Sequence, residues 1–461
     1  MKMKAVTLAT AAKVMDGTLI GGGEDVLIGQ VLMDSRLDVT GALFLAIAGA
    51  RKDGHDFVAE VLARGAVCAL VEREIADANG SQILVENTQI AVKKLAAYYR
   101  SLFDIPVIGI TGSVGKTSTK EMVATVLGEK FLTHKTVGNL NNELGVPLTL
   151  LALRAEQEAA VIEMGISDFG EMTRLTEMVK PTIAMITIIG YAHLDNLGDR
   201  KGVFRAKTEI FHGIKSGAMA LLNGDDDLLA PCVLTDISPQ KTDVIKALYG
   251  LGEQNAYRAT DMQNTADGGT SCTFVWDNVC QMVHIPVFGT PMVYASLAAA
   301  AVGDRLGMTP EDIARGIANF ESVKGRANLI KTMSNTIIDD CYNANPSSMQ
   351  AALSSLTEFS GRKIAILGDM GELGPEENAL HYQLGEFAGT VAMDALFCVG
   401  SLSKHIAEGA KSVNPALDVQ HFATKADLIA VLGEKIKAED TILVKASNYM
   451  GFSEIVEHLQ K

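Results

Sequence analysis

No apolar run in this chain reaches the ~18 residues that a bilayer-spanning helix needs, so no integral membrane segment is expected. Two lysines stand near the start, between Met1 and Thr10, but no long apolar stretch or small-residue cleavage site follows them. A secretory leader is therefore not expected. There is no C-x-x-C pair. The six cysteines (Cys68, Cys232, Cys272, Cys280, Cys341 and Cys398) are scattered, and they read as reduced, mostly buried thiols of a cytoplasmic protein. A basic excess is missing too. The formal charge of −15 argues against a general nucleic-acid binder, because phosphate backbones need basic faces. A small anion could still be held locally by loops and helix ends. Internal repeats and low-complexity tracts are also absent.

What the chain has is length and alternation. At 461 residues, 48% of them hydrophobic, it is too long for one ordinary core and predicts about two to four domains. Three segments emerge. The first, residues 1–104, carries short strands and turns and closes with a helix over Ile90–Phe103, where Leu95, Tyr99 and Leu102 make a one-sided apolar stripe. The second, 105–324, opens with the apolar strand Ile105–Thr111 and continues as alternating strands and helices. Its strands include Ala159–Met164 and Thr182–Ile188, with a helix around Gly170–Val179 between them. Such alternation predicts a parallel sheet covered by helices. Asp261–Pro286, with Asp267-Gly-Gly and Asp277-Asn turn signals, reads as a small β-hairpin insert, followed by an Ala-rich helix over Val293–Leu306. The third, 325–461, places strands at Thr336–Ile338, Lys363–Leu367, Ala395–Val399 and Thr441–Val444 and has a Rossmann-like character. The expected class is therefore α/β: a central P-loop-type parallel sheet, a Rossmann-like C-terminal domain and a small mixed N-terminal domain.

The loop between the first central strand and the helix Lys116–Leu127 reads Thr111-Gly112-Ser113-Val114-Gly115-Lys116-Thr117-Ser118. Glycines let backbone N–H groups turn around phosphate oxygens, and the helix N-terminus adds partial positive charge. Lys116 is placed to reach the terminal phosphates and Thr117 to hold Mg²⁺. The strict P-loop pattern has glycine where this chain has Ile110; here Gly112 sits inside the loop instead. Glu163 ends the strand Ala160–Gly165, where a carboxylate faces the ligand crevice of a parallel sheet and can meet a metal.

The variant T-G-x-x-G-K-T, with the landmarks that follow in order, resembles the Mur ligases and their folylpolyglutamate synthetase relatives. The resemblance covers nearly the whole chain. It implies ATP and two Mg²⁺ ions, with Thr117, Glu163, His193 and Lys207 on the metal side. By itself His193 reads as a structural histidine and Lys207 as a solvated helix lysine; the resemblance makes the first a metal ligand and the second a lysine carbamylated by CO₂. Gly325-Arg326 and Asp339-Asp340-Cys-Tyr-Asn343-Ala-Asn345-Pro match the entry to the family's C-terminal domain. Arg326 is then a stabiliser of the transferring phosphoryl group, and Asp340, Asn343 and Asn345 are nucleotide or acceptor contacts, set against a plain Asn-Pro helix cap. Ser35 and Arg36, in Asp34-Ser-Arg, fall in the module that holds the UDP end of the sugar substrate, set against a surface ion pair. Asn139, Asn141 and Asn142 are expected near the pyrophosphate or muramoyl part, and Lys445 and Ser447 near the acceptor.

The pair D-D-x-Y-N-A-N-P and Gly368-Asp-Met-Gly-Glu-Leu-Gly374 resembles the branch of the family whose substrates are UDP-N-acetylmuramoyl-tripeptide and D-alanyl-D-alanine. The implied reaction activates the tripeptide carboxylate as an acyl phosphate, which the dipeptide amine attacks. A monomer with no nucleic-acid partner is expected, with the third segment closing before chemistry. There are departures from the family pattern. Met292 and Ala295 stand where it has the two asparagines of H-N-x-x-N, the second of which contacts adenine. Ala446 and Asn448 break its K-G-S-R. They leave two alternatives open: a sister ligase adding a single amino acid, and a nucleotide-binding scaffold that no longer ligates.

Overall fold

The computed structural model describes residues 3–49, 52–265 and 268–461. They form three sheets in chain order, each mostly parallel, with helices between the strands. The α/β class and three-part architecture expected from the sequence are what the chain adopts.

The first sheet holds β1 (Thr18–Ile20), β2 (Gln30–Leu32), β3 (Ala42–Leu45), β4 (Cys68–Val71) and β5 (Ser81–Leu84), ordered β1-β5-β4-β3-β2. Only the β1–β5 pair is antiparallel. The helix Thr88–Ser101 then leads to the central sheet. It begins two residues earlier than its apolar stripe predicts, because the Asn87 side chain accepts from Ile90 N and caps it. Its inner face buries Leu95, Ala96 and Tyr99.

The central sheet has nine strands: β6 (Val107–Thr111), β7 (Thr133–Lys135), β8 (Ala159–Glu163), β9 (Ile183–Ile186), β10 (Met219–Asn223), β11 (Ile245–Gly250), β12 (Tyr257–Asn264), β13 (Thr270–Trp276) and β14 (Val279–Ile285). Their order is β14-β13-β12-β11-β10-β9-β6-β8-β7. The chain leaves β6 toward β7 and β8 on one side and then crosses to β9 on the other. That reversal opens a crevice at the carboxyl end of β6, where ligands bind in open parallel sheets.

The β-rich insert differs from the expected hairpin. It is three strands, not two. β12 pairs parallel with β11, while β13 and β14 add antiparallel, so the insert extends the central sheet. The insert expected from Asp261 starts four residues earlier, at Tyr257, where β12 pairs parallel with β11 rather than within a hairpin. Asp267 of the predicted Asp-Gly-Gly turn lies outside the described residues.

The third sheet contains β15 (Asn328–Lys331), β16 (Thr336–Asp339), β17 (Lys363–Gly368), β18 (Ala395–Val399), β19 (Asp418–Phe422) and β20 (Thr441–Lys445), ordered β15-β16-β20-β17-β18-β19. The two strands not foreseen, β15 and β19, are its edges. Edge strands bury less and so carry little apolar pattern.

Two cores sandwich the central sheet. One lies under the Ala-rich helix Thr290–Arg305, whose run Ala298–Ala301 is fully buried against Met122, Val123 and Val126 of the helix Lys116–Gly128. The other runs on from the central sheet into both neighbours, from Leu95 and Tyr99 through Ile162 and Ile186 to Ile338 and Leu443. Tyr99 also makes a polar link there: its hydroxyl donates to Leu153 O at 2.8 Å and accepts from Lys4 N at 2.9 Å. Tyr99→Phe removes both bonds while keeping the ring. It is expected to lower stability by about 1–2 kcal/mol in urea unfolding, since a buried carbonyl then loses its partner. An unchanged midpoint would assign the joint to ring packing alone.

Candidate active site

Almost every chemistry-bearing side chain sits at the carboxyl end of a parallel strand. The central sheet contributes the loops after β6, β8 and β9. The third contributes those after β16, β17 and β20. They face each other across one cleft of about 740 Å³.

The loop after β6 wraps under strict backbone constraints. Gly112 has φ +148, and a Cβ there would lie 1.9 Å from Thr187 Oγ1 on the neighbouring strand's extension. Thr187 N in turn donates to Thr111 O. Ser113 through Ser118 line the cleft, whereas Thr111 and Gly112 lie beneath them and form the floor of the loop. Lys116 Nζ folds back onto Gly112 O at 2.7 Å. Burial lowers its pKa, with Glu163 pulling it up and Arg326 pushing it down again. Arg326 arrives from the start of the third unit. Its Nη2 donates to Thr117 Oγ1 at 3.3 Å, and its guanidinium lies 3.9 Å over the Tyr342 ring.

Glu163, at the end of β8, is buried. Its Oε1 accepts from Asn141 Nδ2 at 2.8 Å and from Thr117 Oγ1 at 3.3 Å. Its Oε2 is buried with no hydrogen-bond partner among the described residues. Behind it stands a lysine that the sequence reading missed. Lys120 Nζ is buried 2.9 Å from Glu121, 2.8 Å from Thr136 O and 3.8 Å from Glu163 Oε2. One signal was available: Lys120 follows Lys116 by one helical turn on a face that is otherwise apolar.

No group of three His, Cys, Asp or Glu is preassembled among the described residues. This is compatible with Mg²⁺, which keeps waters and nucleotide phosphates and takes only one or two protein oxygens. A buried carboxylate oxygen without a partner, next to a threonine hydroxyl at a phosphate-type loop, supplies that kind of site. The Lys207 side chain is also buried and makes no hydrogen bond or ion pair among the described residues. Its pKa is pushed well below the lysine range, first by burial and then by repulsion from Lys116. The reading of Lys207 as a solvated helix lysine is thereby excluded.

His193 lines the cleft in a left-handed backbone conformation, φ 53 and ψ 39. Asp226 accepts from Ile189 N, and Ser113 Oγ accepts from Gly190 N, so the segment leading to it is tied down. From the third unit, Asp340 pairs with buried Lys445 at 2.6 Å, and both line the cleft. Asn343 lines it as well. Asn345 does so while capping the helix Pro346–Leu356 in a full capping box, so the helix-cap reading holds for its side chain. Ser447 is turned away: its Oγ accepts from Gly371 N and donates to Ala344 O. Asn448 reaches the cleft and donates to Tyr342 O.

On the opposite side Asn139, Asn141 and Asn142 line the cleft in a loop clamped by Glu143, which pairs with Lys93 of the first unit and with Arg174. Gln89, also of the first unit and not anticipated, lines this end. Ser35 and Arg36 are not brought to the cleft. Arg36 is 87% exposed and paired with Asp34, which is the surface-ion-pair alternative. Met292 lines the cleft, but Ala295 is buried in the helix and does not.

Comparisons with known proteins agree over the full length. The family description "Mur ligase middle domain" matches residues 110–303, "Mur ligase, glutamate ligase domain" matches 325–448, and "Mur ligase family, catalytic domain" matches 28–104. The UDP-N-acetylmuramoyl-tripeptide–D-alanyl-D-alanine ligase of Bacillus subtilis is 37% identical, covering 98% of each chain. The enzyme of that name from Escherichia coli is 36% identical over 100% of this chain and 99% of its own. A crystal structure of MurF from Acinetobacter baumannii superposes with a TM-score of 0.91 at 33% identity, covering 99% of both. MurF from Thermotoga maritima in complex with ADP superposes at 0.82, with 28% identity over 94% and 97%. The chain belongs to the Mur ligase family.

Gly112 tests the phosphate-loop geometry directly. Gly112→Ala forces a side chain onto Thr187 at a φ that L-residues avoid. ADP affinity measured by calorimetry is expected to fall at least about tenfold, the ~1.4 kcal/mol that even a modest clash costs. Unchanged affinity would detach this loop from nucleotide binding.

Proposed function

We propose that this chain is an ATP-dependent ligase that joins D-alanyl-D-alanine to UDP-N-acetylmuramoyl-tripeptide, forming a C–N bond and releasing ADP and phosphate. The observation that carries it is the single cleft, which puts a phosphate loop on one wall and the loops after β16, β17 and β20 on the other, in a chain whose full-length relatives bear that name. A carboxylate is a poor electrophile, so it must first be phosphorylated. Lys116 and Arg326 are the two cations at the loop. They neutralise the phosphate oxygens as charge shifts onto them, and they hold the nucleotide in line with the incoming carboxylate. The tripeptide carboxylate takes the γ-phosphoryl group, and the dipeptide amine then displaces phosphate from the acyl carbon. In such a reaction most of the gain comes from positioning groups that would otherwise repel.

Bound Mg²⁺, held by Thr117 and Glu163 with His193 at a second position, would supply Lewis-acid neutralisation of the phosphates. Asn141, which donates to Glu163 Oε1, and Lys120 behind Oε2 keep Glu163 aimed at that place. Lys207, whose pKa burial pushes well below the lysine range, is proposed to react as the free amine with CO₂ to give a carbamate, releasing a proton and turning an isolated lysine into an anionic ligand. By region, 1–104 is assigned to the UDP-sugar end with Ser35 and Arg36, 105–324 to ATP, and 325–461 to the rest of ATP and the dipeptide. Asn139, Asn142, Asn343 and Lys445 are assigned to substrate. No described helix is long and apolar enough to cross a membrane; a cytoplasmic monomer is the proposed working form.

Phosphate release from ATP is expected only when UDP-N-acetylmuramoyl-tripeptide and D-alanyl-D-alanine are both present, with the new amide seen by mass. Arg326→Ala should lower kcat by roughly 10²–10³-fold, as losing one preorganised charge donor does. Release with a single amino acid would move the chain to a sister activity, and none with any acceptor would leave only a nucleotide-binding scaffold. For Lys207, ¹³C-bicarbonate should give a carbamate carbon signal in the wild type and none in Lys207→Arg. The amine is neutral only above its folded pKa, so depressing that pKa extends carbamylation downward in pH. A signal appearing only at strongly alkaline pH would refute the assignment.

A further inference from the structure

The segment Gly368-Asp-Met-Gly-Glu-Leu-Gly374 after β17 is pinned at each step. The Asp369 carboxylate accepts from Ser401 N, Leu402 N and Ser403 N and so caps the helix Ser403–Val413. Met370 N donates to His381 Nε2 at 2.9 Å, and Gly371 N donates to Ser447 Oγ at 2.9 Å. Leu373 is buried. At Gly374 a Cβ would lie 2.6 Å from Asp195 Oδ1, two residues beyond His193. One side chain of the segment is left pointing across the cleft. Glu372 Oε2 stands 2.7 Å from His193 Nδ1. Both residues have positive φ, 61 for Glu372 and 53 for His193. Left-handed backbone costs a non-glycine residue roughly 1–2 kcal/mol, and it persists where surrounding contacts over-determine it, often at functional sites.

We propose that Glu372 is the positioning residue for His193: it holds Nδ1 so that Nε2 is the ring nitrogen presented to the metal, and the metal site is completed only when the third sheet is docked on the central one. This rests on the ligase reading, in which His193 is a metal ligand. A metal-bound histidine commonly gives its other ring N–H to a carboxylate, which fixes tautomer and orientation, and losing that partner typically costs 10–100-fold in metal affinity. Here the carboxylate belongs to a different sheet from the histidine. The contact therefore ties the metal side of the site to the wall carrying Asp340 and Lys445. Asp369 and Glu372, three residues apart in one motif, divide the work: the first builds the loop and the second aims the histidine.

The test is Mn²⁺ binding to the ADP complex, followed by electron paramagnetic resonance, alongside the Mg²⁺ dependence of phosphate release. Glu372→Ala is expected to weaken Mn²⁺ at its lower-affinity position by about tenfold or more. It should raise the half-saturating Mg²⁺ concentration more than it lowers kcat at saturating metal. Glu372→Gln, whose amide oxygen can still accept from Nδ1–H, should recover most of the affinity. In a His193→Ala background, Glu372→Ala should add nothing. A wild-type Mn²⁺ isotherm in Glu372→Ala, or additive effects in the double variant, would overturn the proposal while leaving the ligase reading intact. If the Mn²⁺ arm behaves as expected but the wild type releases no phosphate with any acceptor, the ligase reading falls and the positioning role stands.

Discussion

Burial of cations around one buried carboxylate, Glu163, governs this cleft. Lys116 and Lys207 are buried near one another, Arg326 stands at the loop, and Glu163 is the acid between them. Burial depresses the pKa of both lysines; Glu163 pulls Lys116 back up, while Arg326 pushes it down and Lys116 in turn pushes Lys207 down. A polyanionic nucleotide would compensate cations held out of water, and an anionic form of Lys207 would remove one of them. Lys120 completes the pattern: it stands behind Glu163, 3.8 Å from Oε2, without lining the cleft. Cations held out of water beside the phosphate-type loop are a condition for holding several anionic groups together.

That arrangement needs a rigid scaffold, and the parallel sheets supply one. Strand ends present side chains at fixed spacing, and the loops after them are pinned by short hydrogen bonds: Thr187 to the phosphate loop, Asp226 and Ser113 to the His193 segment, Asp369 and Ser447 to the loop after β17. The cleft is also shared. Contacts such as Arg326 to Thr117 and Glu372 to His193 join sheets that are far apart in the chain. Docking of the third sheet is therefore part of the chemistry of the central one.

Much of this was legible in the sequence because it is local. The strand–loop–helix around Lys116, the strand-end Glu163 and the buried strands of both large sheets follow from short-range patterns of apolar residues and glycine. Edge strands β15 and β19 were missed since half-exposed residues carry no clear period. The start of β12 was not read because its pairing with β11 is a long-range parallel contact, not a hairpin turn. Arg36 shows the limit at single residues: the motif around it suits a phosphate or uracil contact, yet its side chain is solvent-facing and satisfied by Asp34 two residues away. Asn345 caps its own helix through a local bond to Ser348 N, a use the sequence also offers, whereas Ser447 is held by Gly371 N and Ala344 O, partners distant in the chain that no local pattern shows.

By itself, then, the sequence determined the class of the fold, the position of the phosphate loop and the family, because each is written in contiguous residues whose backbone preferences do not depend on distant partners. Only the tertiary structure decided which polar groups are free to act. It buried Lys207 without a partner, left Glu163 Oε2 unsatisfied, put Lys120 behind it and brought Glu372 against His193. Burial and charge neutralisation are sums over neighbours from separate strands, and no stretch of chain contains those sums.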